Sequence, residues 1–318
     1  MKSNMKNQKT STAAERVKEL TDKLEAGVKG VFESEQYKNY LRAMSKFHNY
    51  SFGNVMLILM QCPNASLVAG FHKWKRDFGR SVKKGERGIQ ILAPCQYKKM
   101  TDKEKENPDG SKETETVLEI RQGFKVAYVF DVSQTEGRQL PTYGVDKLMG
   151  DVQHYDEFCR AVESIAPVPI VFRTATDQSQ GCYNHREQKI YINEGLSQIQ
   201  TVSVMIHEAA HAILHALPVE NGEIVGKPEK DRRTREVEAE SVAYVVCQHF
   251  GIETGDSAFA YVTSWSKNKE LPELKASLEC ISKTASEMIE GIEKNCPPLN
   301  LGKEKKEKSD KRKDSLLM

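Results

Sequence analysis

Within the stretch VMIHEAAHAILH, Val204 to His215, two histidines stand four residues apart and a glutamate directly follows the first. On a helix, His207 and His211 lie one above the other on a single face, a spacing that lets two imidazoles grip one ion. Glu208 points about 100° away from His207, so it can reach a water on that ion without ligating it. This is the H-E-x-x-H arrangement, in which zinc acidifies a water and the glutamate serves as general base. The alternative is an amphipathic helix that carries histidines for packing.

A catalytic zinc takes three protein ligands and keeps one position open, so the metal reading requires a third donor. The helical stretch TREVEAESVAYVVCQHFG supplies Glu236, Glu238 and Glu240 ahead of an apolar run. Glu236 and Glu240 share a face, and Glu238 turns away from it. We therefore expect Glu236 to complete the ligand set and Glu240 to accept the free N–H of a ligand histidine. The exchanged assignment stays open, because helix phase is only approximate in a sequence. A solvated acidic helix face is the plain alternative.

His215 follows His211 by four, yet it sits two turns from His207, a rise of about 12 Å, so the three histidines cannot share one ion. It is expected to pack or to face solvent, and His48, His72, His154, His185 and His249 are isolated in the chain. Ahead of the metal helix, GCYNHREQKIYIN reads as a β-hairpin whose edge could receive an extended peptide by strand addition. Tyr183 or Tyr191 could donate to a developing oxyanion. As plain hairpin aromatics they need no such role.

Charge divides along the chain. Residues 1–100 carry 19 Lys/Arg against 8 Asp/Glu, whereas residues 101–300 carry 21 against 33. A polyanion is the natural partner of the basic half. Nine of the nineteen cations fall within residues 71–100, interleaved with aromatics in FHKWKRDFGRSVKKGERGIQ. Lys73, Lys75, Arg76, Arg80, Lys83, Lys84 and Arg87 can follow a phosphate backbone, while Phe71, Trp74 and Phe78 can stack on unpaired bases. Stacking favours single strands over duplex. Upstream, KFHNYSFGNVML adds Phe47, Tyr50 and Phe52, with Ser51 and Asn54 between and after them. The competing reading makes Phe71 and Trp74 core residues and the lysines solubilising.

The 318 residues allow two domains, each with its own core, and 38% hydrophobic with 29% charged residues marks a globular chain. Seven cysteines, widely spread and without a C-x-x-C, predict reduced thiols in a cytoplasmic protein. The first residues lack the apolar core of a signal peptide, and VMLILM at Val55 to Met60 is too short to span a bilayer, so no membrane partner is expected.

Apolar positions such as Val17, Leu20 and Leu24 recur every three or four residues, predicting two or three helices up to Gln61. A strand LVAG, a helix FHKWKRDF, a basic turn and the strands IQILAP and FKVAYVFDV follow. The polar residues 100–116 between the last two read as an exposed hairpin extension. The expected division is a disordered start at 1–11, a first domain at 12–138, a linker at 139–150, a second domain at 151–295 and a disordered charged tail at 296–318.

Two segments carry a family resemblance. HNYSFGNVMLILMQCPNASLVAGFHKWKRDFGRSVKKGERGIQILAP, with YVFDVSQTEGRQLP, resembles the single-stranded-DNA-binding domain of ArdC-like antirestriction proteins of plasmids and conjugative elements. IYINEGLSQIQTVSVMIHEAAHAILH, with REVEAESVAYVVCQHFGI, is similar to the zinc metallopeptidase domain of that family, akin to the ImmA/IrrE peptidases. The resemblance implies an α+β chain of two domains, the second zincin-like, with zinc on His207, His211 and Glu236 and Glu208 as base. It implies DNA contact from YSFGN and the GRSVKKGERG turn. The expected function is single-stranded-DNA binding joined to a zinc-dependent peptidase site, with a restriction or repressor protein as a candidate partner. One rival is a DNA shield whose zinc only braces the fold; another is a regulatory protease that cleaves a repressor.

Overall fold

The computed structural model describes residues 12–106, 112–140, 152–174, 179–254, 259 and 262–296. The expected start at 1–11, most of the linker, the tip of the 100–116 extension and the tail beyond Cys296 lie outside them. Three helices, α1 (Ala13–Gly30), α2 (Ser34–Lys46) and α3 (Phe52–Gln61), open the chain. Next come β1 (Val68–Gly70), α4 (Phe71–Phe78), β2 (Arg80–Val82), β3 (Ile89–Glu106), β4 (Lys112–Asp131) and β5 (Thr135–Gly137). Then follow α5 (Val152–Ile165), β6 (Ile170–Arg173), β7 (Gly181–Asn184), β8 (Lys189–Asn193) and α6 (Gln198–Leu214). The short pair β9 (Val219–Glu220) and β10 (Glu223–Ile224) precedes α7 (Arg232–His249), α8 (Val262–Ser266) and α9 (Leu271–Asn295). The architecture is α+β.

Two compact units emerge. The described part of Met1–Gly27 joins Leu57–Arg138, and Val28–Met56 joins the residues from Gln139 onward. Residues 28–56 of the expected first domain thus cluster by contact with the second half. The physical reason is α2, whose buried Tyr37, Tyr40, Leu41 and Met44 form one amphipathic stripe. That stripe packs on α7, where the Tyr37 and Ser241 hydroxyls lie 2.7 Å apart.

The first unit is built on a three-stranded antiparallel sheet in the order β1-β4-β3. Asp131 fastens its end: the carboxylate accepts the amides of Ser66 and Leu67 and both the amide and hydroxyl of Ser133. Burial alone would raise its pKa, but these hydrogen bonds hold it below the usual carboxylate value. Helix α4 ends at Gly79 in the left-handed conformation, φ 63°, which glycine adopts without steric cost.

The stripe Phe71, Trp74 and Phe78 on α4 was expected to stack on bases, and for Trp74 the fold corrects this. Its ring is fully buried and its indole N–H donates to the Phe130 carbonyl, 2.9 Å away, so no base can reach it. Phe71 is 54% exposed. Trp74→Ala is therefore expected to cost about 3–5 kcal/mol of stability, while Phe71→Ala changes it by less than about 1 kcal/mol. Chemical denaturation of the two variants checks this, and equal losses would make Phe71 a core residue.

The second unit holds a three-stranded sheet in the order β6-β8-β7, with β6 parallel and β7 antiparallel to β8. Helix α6 lies on β7 and β8 and packs against α7, which in turn meets α9. Ser197 caps α6 in a reciprocal box with Gln200. Asp231 caps α7 through the Thr234 amide, and the hydrogen bond from Lys269 keeps its carboxyl well below the ordinary range. Cys296, expected in the tail, is buried at the C-terminus of α9.

Candidate functional site

Strand β7 and helices α6 and α7 bring the chemistry-bearing residues of the second unit together. A methyl on Gly181 would lie 2.6 Å from Val204 Cγ1 and 2.9 Å from the Tyr191 carbonyl, so only glycine lets β7 approach α6 this closely. That approach sets the Tyr183 amide 2.7 Å from Glu208 Oε2, to which it donates. Glu208 is thereby held by the backbone, and it is 9% exposed.

One turn along α6, His207 Nε2 and His211 Nε2 are 3.1 Å apart. Glu236 Oε2, from α7, lies 3.8 Å from the first and 3.5 Å from the second. Tetrahedral zinc with bonds of about 2.0–2.1 Å sets its ligand atoms roughly 3.3 Å apart, so the donor set fits such an ion in spacing and type. These are also the three residues among those described whose ligand atoms could share one metal. Glu240 Oε2 lies 3.2 Å from the other ring nitrogen of His207, Nδ1, as a partner that orients the imidazole.

The charges suit a cation. Burial opposes a proton on His207, but its hydrogen bond to Glu240 and the charges of Glu208, Glu240 and Glu236 raise its pKa above the ordinary histidine value. Contact with His211 lowers that of Glu236 in spite of burial. A metal would replace a proton here, so its affinity must fall as pH drops.

His215, expected to pack or to face solvent, is buried and touches the site. Its Nδ1 lies 3.1 Å from His211 Nδ1, and its Nε2 lies 3.0 Å from Glu238 Oε2. Glu238, which turns away from the face of Glu236 and Glu240, is fully buried and also accepts from Lys230 and from the Ser277 hydroxyl. The signal available in sequence was the second i,i+4 histidine pair.

Tyr183 joins the site through its backbone amide, while its ring is buried against His185 at 4.5 Å between centroids. Tyr191 does not join it. Register pairs Tyr183 with Ile190 and Cys182 with Tyr191, so the two tyrosines face opposite sides of the sheet. The Tyr191 hydroxyl donates to Glu187 and its ring carries the Arg173 guanidinium, as the plain hairpin reading has it. His249 is held by the Ser45 carbonyl and Glu293, with His48 against its ring.

The residues expected to meet DNA divide between the units. Tyr50, Ser51 and Asn54 belong to the second, where the Ser51 hydroxyl accepts the Asn54 amide at the start of α3. Phe71, Lys75, Lys83, Lys84 and Arg87 are exposed on the first. Arg80 is spent internally: its guanidinium donates to Thr135 and to the Arg138 carbonyl. Lys83 reaches the Ser133 carbonyl. Beside this turn, Gln61, Arg87, Gly88, Gln90, Tyr128 and Gln134 line a cleft of about 570 Å³. Tyr128, 46% exposed there, was missed by the sequence reading.

Residues 10–130 match the N-terminal domain of anti-restriction factor ArdC, and residues 170–247 match the IrrE N-terminal-like domain. A curated relative, an uncharacterized protein of Bacillus anthracis, is 26% identical over 340 residues, covering 94% of this chain and 55% of its own length. The chain thus spans about half of that relative. The metal-free crystal structure of antirestriction protein ArdC from the R388 plasmid is 19% identical with a TM-score of 0.43, over 77% of this chain and 85% of that one. Its Mn(II)-bound structure is 17% identical with a TM-score of 0.48, over 88% and 97%. Among the described residues no helix is long and apolar enough to cross a membrane. The two domain matches, residues 10–130 and 170–247, give the chain the ArdC-like two-domain architecture, an ArdC-type N-terminal domain ahead of an IrrE-like domain that contains His207, Glu208, His211 and Glu236.

Proposed function

We propose that the chain is an antirestriction-type protein of a mobile element that binds single-stranded DNA through its first unit and hydrolyses a peptide bond with zinc in its second. The observation that carries the peptidase reading is the meeting of two imidazole nitrogens and one carboxylate oxygen at zinc-ligand spacing, beside a glutamate fixed by a strand amide. His207, His211 and Glu236 would hold the ion. When bound, zinc supplies a Lewis acid that acidifies water and polarises a carbonyl. The Tyr183 amide holds Glu208 Oε2, which leaves Oε1 to take a proton from a water and carry it to the leaving nitrogen. Support for the DNA reading comes from the exposed cations of the 83–87 turn, next to an aromatic able to stack.

Zinc content of the purified protein, with anisotropy of a fluorescent single strand and its duplex, tests both halves. About one zinc per chain and tighter binding to the single strand are expected. Absence of zinc would overturn the peptidase half, and equal or no binding to the two DNAs would overturn the other.

A further inference from the structure

The hydrogen-bond chain behind His211 has a direction, and its origin is Glu238. This carboxylate is fully buried, and Lys230 Nζ lies 2.8 Å from both of its oxygens. The Ser277 hydroxyl donates to Oε1 at 2.7 Å. An ionised carboxylate only accepts, so the third neighbour, His215 Nε2 at 3.0 Å, must carry a proton. A neutral His215 that donates from Nε2 accepts at its other nitrogen. Its Nδ1 is then a lone pair, and the 3.1 Å contact with His211 Nδ1 requires His211 to be the donor there. A neutral His211 with its proton on Nδ1 has its lone pair on Nε2. That is the nitrogen facing His207 and Glu236.

We propose that His215 and Glu238 are positioning residues that fix the tautomer and ring angle of His211, so that its Nε2 lone pair is aimed at the ion before the ion arrives. The inference rests on the metal reading given above. The two ligand histidines are thereby oriented differently: His207 meets its carboxylate, Glu240, directly, and His211 meets Glu238 through an intervening imidazole. The third histidine of HEAAHAILH is a relay and binds no metal. It stands at the end of α6, where His215 is the C-cap at φ −129°, ψ 15° and lies four residues beyond His211. A partner that orients a metal-bound histidine commonly accounts for 10–100-fold in affinity.

The test combines two variants with a measurement on the wild type. Zinc affinity, read by competition with a chromophoric chelator, is expected to weaken about 10–100-fold in His215→Leu. His215→Gln, whose amide offers one acceptor and one donor, is expected to recover most of the loss. Nitrogen-15 shifts of the imidazoles in the unaltered protein, with and without zinc, should show the His215 proton on Nε2 and the His211 proton on Nδ1. A His215 proton on Nδ1 would overturn the relay even if His215→Leu does not fold. So would a folded His215→Leu with affinity within twofold of wild type. A wild type that takes up no zinc would overturn the metal reading itself, which an unaffected His215→Leu would leave standing.

Discussion

Zinc at about a hundred times its dissociation constant is expected to stabilise the wild-type protein by about 2.7 kcal/mol, and His211→Ala is expected to abolish that gain. By mass action, an ion held by His207, His211 and Glu236 would bind the folded chain and would have no assembled site in the unfolded one. Removing one of three donors leaves two, too few to compete with water and buffer. Glu208→Gln provides the contrast. A glutamine oxygen can still accept the Tyr183 amide, so β7 and α6 stay in place. Zinc stabilisation should persist in this variant, while hydrolysis of a fluorescent unfolded protein substrate falls by about 10²–10⁴. Loss of the zinc gain in Glu208→Gln would make Glu208 a ligand. Unchanged hydrolysis would exclude it as the base. The pH dependence follows from the two shifts. In the zinc-free protein the raised His207 pKa contributes stability below the ordinary value of 6.5, and that contribution is lost as pH rises through the raised value. The lowered Glu236 pKa contributes above 4.5 and is lost as pH falls through the lowered value. Zinc competes with the His207 proton, so its stabilisation should grow as pH rises up to and through the raised His207 value, above 6.5.

Much of this site could be read from spacing. Two i,i+4 pairs, His207 with His211 and Glu236 with Glu240, define two helix faces, and the fold turns those faces toward each other. His215 stands two turns from His207, and its i,i+4 spacing sets its ring against His211. What spacing could not supply was its other partner, the buried Glu238 of α7. Strand register was equally hidden. Tyr183 and Tyr191 sit on one hairpin, and only the pairing of Cys182 with Tyr191 reveals that they face apart. Periodicity recovered α4 with both of its ends, but it could not say that Trp74 is enclosed while Phe71 on the same stripe is exposed. The stripe of α2 likewise signals burial without naming its partner. Residues 28–56, part of the continuous match over residues 10–130, also cluster by contact with α7 in the second unit.

Neutralising the basic face of the first unit should change how its DNA binding depends on salt. Lys75, Lys84 and Arg87 are exposed, and their side chains make no ion pair among the described residues. Each phosphate contact to a single strand contributes about 0.7 to the slope of log affinity against log salt, through the counterions it releases. The triple variant Lys75→Gln, Lys84→Gln and Arg87→Gln is therefore expected to lower the magnitude of that slope by about 2. Because the counterion contribution vanishes near about 1 M salt, the same change amounts to about a hundredfold weaker binding at about 0.1 M. Tyr128→Ala separates stacking from charge. Its ring is half-exposed in the cleft beside Arg87, and a base stacked on it is worth about 1–3 kcal/mol, so affinity should fall about 5–150-fold with the slope unchanged. Arg80 is the internal control, since its guanidinium is occupied by Thr135 and Arg138: Arg80→Gln should lower stability before it lowers the slope. A triple variant that keeps the wild-type slope would remove the 83–87 turn from the DNA interface. A Tyr128→Ala variant with unchanged affinity would remove the cleft.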